Sequence, residues 1–107
     1  MKTHREIDER SLALARAIVA KIDDDPQRRA LQHAREVCAR WQDTAPTAAV
    51  AEWLGILQQD WRPIRAALLD ESERGQRLRQ SNPFCGVLTP QERWAIYRRF
   101  SHEQIAA

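Results

Sequence analysis

Six arginines, Arg74, Arg77, Arg79, Arg93, Arg98 and Arg99, stand between residues 74 and 100 against Glu92 alone, a local charge of +5. A guanidinium fork makes paired, planar contacts with carboxylate or phosphate that an ammonium does not. Between the two groups of arginines lies Ser81 to Thr89, nine residues without a charge. An apolar centre at Phe84 ringed by Arg77, Arg79 and Arg93, with Arg98 beyond, has the centre-and-rim arrangement of a protein interface. The same composition also suits a core tether, with a turn at Asn82 and Pro83, Phe84, Val87 and Leu88 dipping inward, and Gly86 reversing the backbone. The sequence leaves both readings open.

Groups for bond-making chemistry do not converge in the sequence. His4, His33 and His102 stand in separate segments. His33 and Glu36 share a helical face at i and i+3, which a surface pair explains as well as a metal site does. Asp23 to Asp25 is explained by helix capping. There is no HExxH, no Gly-rich phosphate loop, no nucleophile elbow and no paired Cys ligands, so the chain reads as a non-enzymatic binding module with neither cofactor nor metal. The basic segment around Trp94 and Tyr97 makes a small nucleic-acid-binding or operon-autoregulating module the second reading. Against it, Trp94, Tyr97 and Phe100 fall at i, i+3 and i+6, the spacing of a face packed inward.

The elements that position these residues read as helices throughout. Thr3 and Glu6 suit a capping box for a first helix over about 4 to 22, whose apolar stripe includes Leu14, Ile18 and Ile22. Asp25 with Pro26 at the first helical position predicts a second helix over about 26 to 42, with Leu31, Ala34, Cys38 and Trp41 on one face. A third is expected over about 47 to 59. In the fourth, Asp60 is the expected cap and Pro63 lies in the first turn, with a kink or short break near Ser72 to Gly75. Thr89, Pro90 and Glu92 combine an N-cap, a proline at N1 and a capping-box acid, opening the last helix. No run alternates as a strand does, and the fold class is all-α, about five helices in an irregular small bundle.

At 107 residues the chain suits one domain with a modest core. Cys38 and Cys85, without CxxC or Cys/His spacing, read as reduced thiols of a cytoplasmic protein, with a single bridge as the alternative. No stretch approaches the length of a membrane span. Four tryptophans and fifteen arginines are the composition of binding hot spots. Ala13, Ala17 and Ala20 offer a second close-packing face, so self-association is open.

The segment DESERGQRLRQSNPFCGVLTPQERWAIYRRF, with REIDERSLALARAIVAKI near the N-terminus and ARW at 39 to 41, resembles a family of short bacterial helical proteins. They share an LRQS-PF-G-L-ER pattern, met here by Leu78, Arg79, Gln80, Ser81, Pro83, Phe84, Gly86, Leu88, Glu92 and Arg93. Asn82 stands where a second Ser is expected. Members tend to be encoded directly upstream of a nucleotidyltransferase-like protein, an arrangement similar to a toxin and antitoxin pair. The resemblance implies a protein partner, a nucleotidyltransferase-like enzyme restrained by an antitoxin-like module, and assigns no catalytic residue. The expected contact is the arginine-rimmed 77 to 99 region against the partner's acidic site, with Arg79 and Phe84 jointly required for the complex and dispensable for folding.

Overall fold

The computed structural model describes residues 4 to 106, with side chains from 7 to 100, and among them the chain is all-helical. The first helix, α1 (His4–Asp23), buries Leu12, Ala15, Ile18, Val19 and Ile22 along one stripe. The expected box at Thr3 lies outside the described residues.

The second helix does not begin at Pro26. Asp25 to Arg28 close a turn in which Arg28 N–H donates to the Asp25 carbonyl at 3.0 Å, and α2 (Arg29–Thr44) starts beyond it. Asp25 is not the N-cap residue, a position that Arg28 takes, but its carboxylate accepts from the amides of Gln27 at 3.1 Å and Arg29 at 3.0 Å. The Arg29 donor lies too far along the chain for a helix that begins at Pro26, so the proline takes the second position of a β-turn, which its fixed φ suits. Arg28 is left with φ 46°, the one non-glycine with positive φ among the described residues.

Thr47 Oγ1 accepts from Val50 N–H at 3.1 Å and opens α3 (Ala48–Leu57), which packs on α2 as a helical hairpin. Pro63 sits in the first turn of α4 (Trp61–Leu69), where it removes no helical hydrogen bond. Asp60 stands at the cap position, but its side chain accepts from no helix amide.

The structure has six helices rather than five because the kink expected near Gly75 is a complete break. The Asp70 carboxylate accepts from Ser72 N–H at 2.8 Å, and Ser72 Oγ accepts from Gly75 N–H at 3.5 Å. These side chains capture amides that a continuing helix would direct to its own carbonyls. A short α5 (Glu73–Arg79) follows. The final helix, α6 (Pro90–Ala106), opens on the expected capping box: Glu92 accepts from Thr89 N–H at 2.7 Å and Thr89 Oγ1 from Glu92 N–H at 3.1 Å.

Helix α1 packs against α4, α5 and α6, while α3 bridges to α4 and α5. At the centre Trp53 is completely buried, its indole N–H donating to the Leu78 carbonyl at 2.8 Å. Phe84 meets that ring edge-on with centroids 6.1 Å apart. Cys38 is a small core residue, as its helical spacing predicted, and burial pushes its thiol above the ordinary range. Both cysteines are free, Cys85 on the surface. Among the described residues no helix is long and apolar enough to cross a membrane.

Candidate partner-binding surface

The five residues singled out for contact separate into two groups. Arg79, on the last turn of α5, is 5% exposed. Its Nε donates to Ser11 Oγ at 2.9 Å and its Nη2 to Asp8 Oδ1 at 2.7 Å. Nη1 reaches the carbonyls of Leu68 and Asp70. The guanidinium therefore joins α1, α4 and α5 from inside, closing the carbonyls left at the end of α4.

Phe84, 3% exposed, lies beneath the loop and not on it. Asn82 Oδ1 accepts from Phe84 N–H at 2.9 Å, an Asx turn that folds the segment inward, and Gly86 with φ 82° sends it out again. Pro83 and Leu88 are buried with Phe84. For Phe84 and Leu88 the tether reading holds. The expectation that Phe84 stays partly exposed with Arg79 on its rim is corrected, since both side chains are buried.

Arg77, Arg93 and Arg98 are exposed. Arg77 Nη2 and Arg74 Nε each reach Glu52 at 2.8 Å, and these two hydrogen bonds hold the Glu52 carboxyl below its ordinary range. Such surface pairs are weak and screened by solvent, so Arg77 can exchange Glu52 for another carboxylate. Arg93 and Arg98 have no ion-pair partner among the described residues.

Where an apolar knob was expected, there is instead a cavity of about 170 Å³, floored by Leu14 and Ile18 of α1 with Phe84 and Leu88 of the loop. Asn82 and Arg93 stand at its edge. The centre-and-rim arrangement survives in inverted relief, a recess able to receive an apolar side chain beside a free cation.

Trp94 departs from the expected inward face. It is 61% exposed, whereas Tyr97 and Phe100 are half-buried and Ile96 packs on the core. At about 100° per residue, Trp94 lies roughly 120° around the helix from Phe100, and the face that meets α1 is centred on Ile96 and Phe100. The Arg10 guanidinium carbon lies 5.2 Å from the Tyr97 ring centroid, clamping α6 to α1. Lys21 adds a second clamp, donating to the Val87 carbonyl and to Glu92. The Lys21 ammonium and the Thr89 amide hold the Glu92 carboxyl down at about 2. Trp94 and Arg98, one turn apart, remain together on the outer face of α6.

Among the described residues no three His, Cys, Asp or Glu side chains converge as metal ligands, and His33 is on the surface. Asp8, Ser11 and Lys21 escaped the sequence reading, because nothing local marks a residue whose partner lies some 70 positions away. Compared with protein-family models, curated proteins and solved structures, the chain matches none.

Proposed function

We propose that the chain is a non-enzymatic, antitoxin-like module that binds and restrains a nucleotidyltransferase-like enzyme encoded beside it. The observation that carries the reading is Trp94, a large aromatic left in water next to Arg93 and one turn from Arg98. Trp and Arg are the residues on which binding energy concentrates. Metal-dependent transferase sites are lined with carboxylates, to which paired guanidinium donors are complementary. The contact surface comprises Trp94, Arg93 and Arg98, with an apolar side chain of the partner entering the Phe84 and Leu88 recess. Arg77 joins by giving up Glu52. Arg79 supports this surface from within.

The resemblance supplies the identity of the partner, and the neighbouring protein is the one to test. Trp94→Ala and Arg98→Glu should each weaken the complex by about 2 kcal/mol, roughly thirtyfold, in a calorimetric titration. Neither should change the melting temperature. Unchanged affinity in both variants removes this surface from the interface. An operon-autoregulating module is the second reading, favoured by the unpaired Arg93 and Arg98. It requires nucleic-acid affinity that falls steeply with salt and is lost on nuclease treatment.

A further inference from the structure

A second group of arginines converges away from the 77 to 99 region, from segments far apart in the chain. Arg28 and Arg35, two turns apart on α2 and its cap, line one cleft with Arg62 from the first turn of α4. Gln59, Asp60 and Trp61 complete its walls. Against these three cations the cleft sets Asp60 alone, leaving two positive charges. The neighbouring Asp23 is already engaged, accepting from the Trp61 indole N–H at 2.8 Å and from Arg65 Nε. Those contacts, the indole first, together with the nearby charge of Arg28, hold its carboxyl below the ordinary range.

Each arginine is placed without using up its donors. Arg35 Nε donates to the Leu57 carbonyl at 2.7 Å, which anchors the head group at the end of α3. Arg62 is exposed and has no ion-pair partner among the described residues. Arg28 is held in left-handed backbone, its guanidinium carbon 6.0 Å from the Trp61 ring centroid, and its Nε is buried with no acceptor. A non-glycine kept at positive φ to bring a guanidinium over an aromatic face, with a buried donor left over, is the kind of strain found at binding sites. The first turn of α4 adds amides that the Asp60 side chain does not cap, at the positive end of the helix.

We propose that this cleft binds the phosphate group of a small phosphorylated molecule, with Arg28, Arg35 and Arg62 as the recognising cations. A phosphate dianion matches the two uncompensated charges, and its oxygens accept from several guanidinium forks and helix amides at once. The cleft, at about 450 Å³, is larger than a phosphate ion. The remaining space, walled in part by Leu31 and Gln59, takes a modest organic portion. This site is separate from the Trp94 surface, and its test needs no protein partner.

The test is thermal unfolding of the full chain titrated with inorganic phosphate, and separately with glycerol phosphate, against sodium chloride of matched ionic strength. Saturable stabilisation by phosphate beyond that by chloride is expected, and tighter binding of the ester would show that the organic portion is also recognised. Arg62→Gln, which breaks no side-chain hydrogen bond or ion pair among the described residues, should weaken phosphate binding by about tenfold, the effect of one charge-assisted hydrogen bond. Arg28→Gly should do the same while remaining folded, because glycine takes this φ without strain. A purely structural Arg28 would leave phosphate affinity intact in that variant. Stabilisation no greater than that by chloride, or unchanged affinity in both variants, overturns the proposal.

Discussion

Arg79 shows how a residue can carry the signature of a contact surface and serve the interior instead. Charged side chains are rarely buried without a partner, and this one has Asp8, Ser11 and two carbonyls. Truncating it leaves Asp8 without its cation and two carbonyls without donors. Arg79→Ala should therefore destabilise the fold by about 3 kcal/mol in urea denaturation, the low end for a broken buried pair because Asp8 keeps some solvent. Arg79→Lys should recover only part of that loss, since one ammonium cannot span four acceptors on two helices. An Arg79→Ala variant as stable as the parent would show that the network contributes nothing. None of this was legible in the sequence, because Asp8 and Ser11 lie 71 and 68 positions away. The local pattern LRQS pointed equally well to a surface.

Short-range signals were legible where the chain answers to itself and failed where a neighbouring element decides. The Thr89 and Glu92 box formed as expected because its donors and acceptors lie within four residues. Helix α2 began late because Asp25 had two ways to satisfy amides and the turn used both. Trp94 was misplaced because an i, i+3, i+6 run spans too wide an arc to assign one face, and only the docking of α6 on α1 selects its centre. Gly75 makes the same point energetically. By propensity alone, alanine would improve that helical position by about 1 kcal/mol. A Cβ at Gly75 would instead lie 1.8 Å from the Asp70 carbonyl oxygen, inside the turn that separates α4 from α5. Gly75→Ala should thus destabilise by about 2 kcal/mol, the scale of an overpacked site. Gly55 of α3 has nothing within 4 Å of the corresponding point and faces solvent, so Gly55→Ala should stabilise by up to about 1 kcal/mol. Opposite signs in paired melting curves are the expected result, and equal gains would mean that the turn yields freely.

At the scale of the whole molecule, the helices are joined by carboxylates that must remain ionised. Asp23 ties α1 to α4, Glu52 ties α3 to α5, and Glu92 ties the start of α6 to α1. Each is held below its ordinary range, chiefly by the side-chain donors of Trp61, Arg77 and Lys21 respectively. Glu92 falls from 4.5 to about 2. A carboxylate whose folded value is depressed binds its proton more readily in the unfolded chain, so its contribution is complete above about 4.5 and fades as pH drops toward 2. Acid should therefore loosen the connections between helices, and the fifteen basic residues that are arginine then repel without compensation. The melting temperature should hold steady above pH 5 and fall progressively below about 4.5. Glu92→Gln separates the local effect from the general one: the variant should melt lower than the parent at neutral pH, and the gap should close as pH approaches about 2. A gap that stays constant down to that pH would show that the charge on Glu92 does not hold α6 to α1, and would leave Arg10, Tyr97 and the apolar face around Ile96 as what keeps the Trp94 surface in place.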